Sequence, residues 1–175
     1  MAAIRLRQLA AIVTLTALGL PALAALPVGK AAPPLVVTTL GGGTFDLGAL
    51  HGKTVIVHLW ATWCVSCREE MPALDAFYRE HRDQGLELIC VSLDRRRDLR
   101  EVEKVAQPFA YPVALWSGAK VNGFSQPEAL PLTYVIDDEG VVRAVLRPGK
   151  GPLTTESLGA VVLPLLEGRS RTKAP

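Results

Sequence analysis

The stretch "VIVHLWATWCVSC", residues 55–67, joins a nearly continuous apolar run to two cysteines that stand three positions apart. An apolar run rich in β-branched residues predicts a strand, about Thr54 to Ala61, that is buried on both faces inside a sheet. Helical spacing of apolar residues then begins at Cys64 and stops at Gly85, a typical helix end. The two cysteines therefore lie where a central strand gives way to a helix, about one helical turn apart.

Strands and helices alternate on both sides of this junction. In chain order, the sequence predicts a hairpin turning at 41–43, the strand and helix just described, a strand at 86–94, a helix at 97–107, a strand at 111–116, a hairpin at 132–146 and a C-terminal helix. Strands that are separated by helices imply βαβ units and a partly parallel sheet. We therefore expect an α/β domain with helices on both faces of its sheet.

The first residues have the composition of an export segment. Arg5 and Arg7 precede a long apolar run, and the small residues "ALA" at 22–24 suit cleavage by a signal peptidase. The run is also long enough to span a bilayer if it is retained. We therefore predict a signal peptide or membrane anchor at 1–24, a linker at 25–33, the folded domain at 34–168 and a disordered tail at 169–175. Both alternatives place the domain outside the cytoplasm, in the periplasm or an equivalent compartment.

Composition and cysteine count exclude several classes of protein. The 175 residues are 49% hydrophobic and 21% charged, which is typical of a globular domain. A net charge of +2 offers no basic face for nucleic acid. The three cysteines are too few for a disulfide-stapled framework, so the close pair needs another explanation.

Two thiols at this spacing provide half of a zinc site or form a reversible disulfide. A structural zinc ion needs four ligands, and the other candidates are a cysteine inside a predicted strand and three histidines without ligand spacing: Cys90, His51, His58 and His81. No second pair completes the shell, so we reject zinc. Free N–H groups at a helix N-terminus stabilise a thiolate, and a cysteine one turn further on can close a disulfide. The pair is therefore predicted to be redox-active.

These residues carry a family resemblance. "VIVHLWATWCVSC" followed by "EEMP" resembles the active-site strand and helix of the thioredoxin superfamily, especially its exported TlpA/ResA/CcmG-type thiol–disulfide oxidoreductases. "LPLTYVIDDEGVV", from Leu130 to Val142, is similar to the proline segment of that family, and the likeness extends over roughly Pro34 to Glu167. It implies a thioredoxin-like fold, with a central mixed β-sheet flanked by helices and an N-terminal β-hairpin extension.

The resemblance assigns roles to five residues. Cys64 would attack a substrate disulfide and Cys67 would resolve the mixed disulfide. Pro131 would follow a cis peptide bond and face the disulfide, while the Leu130 backbone would pair with an extended substrate. Trp63 corresponds to the surface tryptophan beside the attacking cysteine.

Two ionisable residues complete the candidate site. Glu70 matches an acidic residue of this exported branch, and a carboxylate in an apolar pocket can exchange protons with the resolving thiol. The alternative is a solvated helix glutamate. His58 departs from the family pattern: it accepts the Cys67 proton, hydrogen-bonds Glu70, or is simply a core histidine.

The leading hypothesis is an exported reductase of protein disulfides that needs no metal or organic cofactor. Its partners would be proteins with disulfides or thiols and a membrane protein that supplies electrons, with a role in cytochrome c maturation or metal-centre assembly. A peroxiredoxin-like peroxidase is an alternative, but "LWATWC" lacks the proline of the peroxidase loop. A copper-handling thioredoxin-fold module is another, although no histidine follows His81.

Overall fold

The strand predicted ahead of the cysteines is β3, Thr54–Trp60, and all seven of its side chains are buried. It pairs in parallel with β4 (Leu86–Ser92) and antiparallel with β6 (Leu132–Ile136). Burial on both faces explains why the run is apolar at nearly every position. The prediction of a central strand is confirmed.

The computed structural model describes residues 26–149 and 151–172. The elements not yet named are β1 (Leu35–Thr39), β2 (Thr44–Asp46), α1 (Val65–His81), α2 (Leu99–Ala106), β5 (Val113–Asn122), β7 (Val142–Leu146) and α3 (Thr155–Thr172). Within the described residues, the seven strands form one sheet in the order β2-β1-β5-β4-β3-β6-β7. The pairs β3–β4 and β4–β5 are parallel and the others are antiparallel, so the sheet is mixed, as expected.

The predicted N-terminal hairpin is present as β1 and β2. Strand β5 is longer than the predicted 111–116, because its second half leaves β4 and pairs with β1. The hairpin is thereby joined to the sheet through β5. After α1, a 3₁₀ turn at Arg82–Gln84 ends at Gly85, which adopts φ 93°, a left-handed conformation that glycine tolerates; the helical segment therefore stops at the predicted glycine.

The expectation of helices on both faces is wrong. Side chains of all three α-helices, among them Leu74, Val102 and Leu158, belong to one core cluster with one face of the sheet. In the described chain, the cluster on the other face draws its buried side chains from strands, a 3₁₀ turn at Leu47–Leu50 and loops. Connections β3–α1–β4 and β4–α2–β5 both step in the same direction across the sheet, and right-handed crossovers then place both helices on one face.

The predicted linker is packed against the domain. We call Leu26–Pro34 the N-terminal strap. Its backbone is bonded to the start of β7 at one end and to the end of β5 at the other: Gly29 N–H to Val142 O at 2.8 Å, Val142 N–H to Lys30 O at 2.9 Å, Ala32 N–H to Gly140 O at 2.8 Å and Gly123 N–H to Pro34 O at 2.8 Å. Leu26 and Ala32 pack against the core cluster on the face of the sheet that carries no α-helix. The boundary between linker and domain therefore lies upstream of residue 34.

The ends of the chain extend past the predicted limits or outside the described part. The predicted export segment at 1–24 and residues 173–175 lie outside the described residues. Helix α3 continues to Thr172, so the predicted tail at 169–175 begins inside a helix. Within 26–149 and 151–172, no helix is both long and apolar enough to span a bilayer.

Candidate active site

The two cysteines form a disulfide at the start of α1. Cys64 is the N-cap residue of the helix, and its sulfur accepts the Cys67 backbone N–H at 3.2 Å. The Cα atoms of Cys64 and Cys67 are 5.3 Å apart, within the ordinary range for a disulfide. The predicted pairing is confirmed, and the N–H contact is one that would stabilise a Cys64 thiolate.

The surroundings of the disulfide are asymmetric. Cys67 is fully buried, whereas Cys64 is 7% exposed. Both chain neighbours of Cys64 are large, apolar and exposed: Trp63 at 68% and Val65 at 60%. A partner that approaches the disulfide therefore meets Cys64 first, between two apolar side chains.

The proline segment enters at the same end of the sheet. Leu132, the first residue of β6, pairs with Leu59 near the end of β3, which places the preceding Pro131 at the end where α1 begins. The Leu130–Pro131 peptide bond is cis, as predicted. Leu130 itself is half-buried and packs against both core clusters.

Glu70 is buried beside this proline, so the solvated-surface alternative is wrong. The side chain is 7% exposed, and its Oε1 accepts the Leu153 N–H at 3.2 Å. Glu70 and Pro131 line one pocket of about 150 Å³ together with Thr133 and Leu153. Burial raises the pKa of the Glu70 carboxyl; the Leu153 N–H opposes this shift, and the charge of Glu69 adds to it.

His58 is a core residue held by a different partner from those expected. It is fully buried, and its Nδ1 shares a hydrogen bond with the Thr133 hydroxyl at 2.8 Å. The alternative in which His58 hydrogen-bonds Glu70 is wrong: Oε1 of Glu70 accepts the Leu153 N–H, and neither Oε2 of Glu70 nor Nε2 of His58 has a hydrogen-bond partner among the described residues. Burial lowers the pKa of His58 to about 3, so the ring is neutral at physiological pH.

Asp94 is a buried residue of the site region that the sequence analysis missed. It lies two residues after the end of β4, is 4% exposed, and accepts hydrogen bonds from both the backbone and the side chain of Thr62. Thr62 lies two residues before Cys64 in the loop that leads from β3 to α1. A carboxylate at the carboxyl end of a strand adjacent to β3 was the available signal, because the ends of parallel neighbouring strands meet at one edge.

Fold and disulfide together define the class: a thioredoxin-like protein with a CxxC pair at the N-terminus of the helix that follows a central strand. The AhpC/TSA family description matches residues 28–145, about two thirds of the chain. The chain therefore belongs to the AhpC/TSA family.

Relatives within this family specify the class further. The chain is 34% identical over 115 residues to the thiol-disulfide oxidoreductase ResA of Bacillus cereus, an alignment that spans 66% of each protein. It is 32% identical over 136 residues to ResA of Geobacillus kaustophilus, covering 77% of this chain and 75% of that one. A solved thiol:disulfide interchange protein of Chlorobium tepidum superposes with a TM-score of 0.63 at 25% identity, covering 81% of this chain and 99% of that one. These findings confirm the thioredoxin-like fold and the membership among thiol–disulfide oxidoreductases.

Proposed function

We propose that this thiol–disulfide oxidoreductase is an exported reductase of protein disulfides. The observation that carries the proposal is the Cys64–Cys67 disulfide at the N-terminus of α1, in which Cys64 is the more exposed cysteine and lies between exposed Trp63 and Val65. That arrangement suits attack on a protein partner, because apolar exposed side chains favour a protein contact.

The reaction follows from the difference between the two sulfurs. In the reduced protein, the Cys64 thiolate attacks one sulfur of a substrate disulfide, forms a mixed disulfide and releases the other substrate sulfur as a thiolate. The Cys67 thiol then loses its proton and attacks Cys64, which releases the second substrate thiolate and closes Cys64–Cys67. The substrate gains two electrons and the protein loses two. Glu70, with its raised pKa, is the proposed acceptor of the Cys67 proton.

The proposed direction rests on how little stabilises the Cys64 thiolate. Strong oxidants of this chemistry stabilise their reduced form. Between the two cysteines, Val65 has no donor, and the Ser66 hydroxyl oxygen stands 3.7 Å from the Cys64 sulfur. The helix terminus is then the main stabilising influence, which favours a comparatively stable disulfide and a reducing potential.

Substrate binding is proposed at the end of the sheet where the disulfide lies. The Leu130 backbone, ahead of the cis proline, would pair with an extended segment that carries the substrate cysteine. Trp63, exposed beside Cys64, would contact the same segment.

The proposed location and partners follow from the sequence and the relatives. Residues 1–24 would act as a signal peptide or anchor that delivers the domain to the periplasm or an equivalent compartment. A reductase in an oxidising compartment needs a membrane protein that supplies electrons from the cytoplasm. The family resemblance of the active-site segment is the support for a proposed role in cytochrome c maturation or metal-centre assembly.

A trapping experiment tests this function. In Cys67→Ala the mixed disulfide through Cys64 has no resolving thiol, so disulfide-linked partner proteins should accumulate and be released by dithiothreitol. The matched control, Cys64→Ala, should trap almost none. Equal trapping by both variants, or trapping by Cys64→Ala alone, would contradict the assignment of Cys64 as the attacking thiol.

A further inference from the structure

We propose that Asp94 is a positioning residue that keeps Cys64 at the N-terminus of α1 when the disulfide is open. The inference rests on the proposed function in one respect, namely that Cys64 is the attacking thiol. It assigns the reactivity of this cysteine in part to a side chain in the loop after β4, 30 positions further along the chain.

The carboxylate of Asp94 joins two segments through a complete set of hydrogen bonds. Oδ2 accepts the Thr62 N–H at 2.8 Å and Oδ1 accepts the Thr62 hydroxyl at 2.7 Å. On the strand side, the Ser92 hydroxyl donates to Oδ2 at 2.6 Å, and the Asp94 N–H donates to the Ser92 oxygen at 3.0 Å. Charge-assisted hydrogen bonds in a buried setting are strong, so Thr62 is held firmly to the end of β4.

The loop between β3 and α1 is also held by the burial of Ala61 and Cys64 in the core cluster beneath the helices, and by two backbone hydrogen bonds. At its start, Leu93 N–H bonds Trp60 O at 2.8 Å. Cys64 N–H bonds Ala61 O at 3.1 Å, a contact inside the loop itself. Between Thr62 and Cys64 stands Trp63, whose side chain is 68% exposed and packs little. Thr62 is therefore the anchored residue that immediately precedes this exposed tryptophan.

The hydrogen bonds between Asp94 and Thr62 matter most in the reduced protein. In the oxidised protein, the covalent bond to Cys67 holds the Cys64 sulfur against α1. Once that bond is broken, the sulfur keeps its place at the Cys67 N–H only while the loop keeps its shape. A loop that moves away carries the sulfur from the helix terminus and removes the influence that favours the thiolate.

The variants follow from the hydrogen bonds. Asp94→Ala removes the oxygens that accept hydrogen bonds from the Thr62 N–H and the Thr62 hydroxyl. Asp94→Asn can keep all three contacts, because its oxygen can accept the Thr62 N–H and the Ser92 O–H while its NH₂ donates to the Thr62 hydroxyl oxygen. Asp137→Ala is the matched control: Asp137 is also a buried aspartate, 5% exposed, that accepts two backbone N–H groups, from Glu139 and Val141, at the opposite end of the sheet.

The experiment measures alkylation of Cys64 as a function of pH in the reduced full chain, with the labelled cysteine identified by mass spectrometry. In Asp94→Ala we expect the rate at neutral pH to fall about threefold to tenfold, with the midpoint about half to one pH unit higher, because only the thiolate reacts. Asp94→Asn should restore the wild-type profile, and Asp137→Ala should leave it unchanged. Should Asp94→Ala fail to fold, Thr62→Val, which removes only the hydroxyl donor, should shift the profile by a smaller amount in the same direction.

Three results would overturn the inference: an unchanged profile in folded Asp94→Ala, an equal shift in Asp137→Ala, or no recovery in Asp94→Asn. Each of them leaves the proposed function intact. Preferential labelling of Cys67 in the wild-type protein would instead remove the premise about Cys64, and so would contradict the proposed function together with this inference.

Discussion

Glu70 is an acid whose two oxygens have different surroundings. Oε1 accepts the Leu153 N–H, while Oε2 is buried and has no hydrogen-bond partner among the described residues. A buried carboxylate of this kind is favoured in its protonated form, and its raised pKa follows mainly from burial. It can therefore both accept and release a proton in a pH range where surface glutamates stay ionised.

Replacing Glu70 with glutamine should therefore change both catalysis and stability. Disulfide exchange should slow by about tenfold or more and lose one ionisation from its pH profile, because a proton acceptor is removed. The measurement is the rate of protein disulfide reduction between pH 5 and 9. Glu69→Gln is the control: Glu69 is exposed, so the rate should change little and the Glu70 ionisation should move slightly to lower pH. If Glu70→Gln keeps the wild-type profile, Glu70 exchanges no proton in the reaction.

The stability of the same variant has a definite sign. Because the folded-state pKa of Glu70 is raised above its ordinary value of 4.5, the folded protein binds more protons there than the unfolded chain, and stability is lost as pH rises from about 4.5 through the folded pKa. Glu70→Gln lacks this loss. Its Tm should match the wild-type value at acidic pH and exceed it at neutral pH.

For His58, the dependence of stability on pH has the opposite sign. Its pKa is lowered to about 3 in the folded state, so the unfolded chain binds more protons between pH 6.5 and 3, and stability falls as pH drops through that window. One group contributes at most about 1.4 kcal/mol per pH unit. His58→Asn should flatten the dependence, as measured by urea unfolding at a series of pH values.

The matched control for this prediction is His51→Asn, at an exposed position. It should keep the wild-type slope between pH 6.5 and 3. The rate profile for disulfide exchange above pH 5 should be the same in His58→Asn and the wild type, since a neutral core histidine does not titrate there. A changed profile would show that His58 takes part in proton transfer.

At the scale of elements, the N-terminal strap contributes to stability as part of the fold. A chain that begins at Pro33 loses three backbone hydrogen bonds to the β7 region and the half-buried Leu26. At about 1 kcal/mol for each, the free energy of unfolding should fall by about 3–4 kcal/mol relative to a chain that begins at Leu26.

Urea unfolding of the two chains measures this difference. Val28→Ser in the longer chain is the control, because Val28 is 59% exposed and its replacement should change stability little. Equal urea midpoints for the two chains would show that 26–32 adds no stability and acts only as a linker.

The strap also shows where prediction from sequence fails. "KAAPP" has the composition of a linker, and nothing local reveals that residues 29–32 bond to β7 more than 100 positions later. The junction around Cys64 was predictable for the opposite reason: the strand, the helix start and the disulfide all lie within 14 residues, 54–67. His58 and Asp94 fall between these cases, since their partners, Thr133 and Thr62, depend on which strands are neighbours.

At the scale of the whole molecule, the order of the strands explains the remaining error. The sequence predicted the elements, but not that both parallel crossovers step the same way across the sheet. That step places α1 and α2 together and leaves the other face to strands, the strap and loops.

The redox balance is a property of the whole fold, because it compares the stability of two complete states. We expect a reduction potential nearer thioredoxin's roughly −270 mV than DsbA's roughly −120 mV, and an oxidised protein that resists urea better than the reduced one. Equilibration with glutathione buffers measures the potential, and Ser66→Ala is the control for the 3.7 Å hydroxyl contact, with little change expected. A potential above about −180 mV would make the protein an oxidant or isomerase.

The strap has a further consequence if the export segment stays in a membrane. The predicted segment ends at residue 24 and the packed chain begins at Leu26. An anchored form would therefore have almost no flexible linker between the membrane and the domain. The volume that a tethered site can search is set by the length of its tether, and a short tether raises the local concentration of nearby partners while excluding distant ones. Such a domain would stay at a nearly constant distance from the membrane surface. Its substrates would be proteins that present a cysteine at that distance from the bilayer.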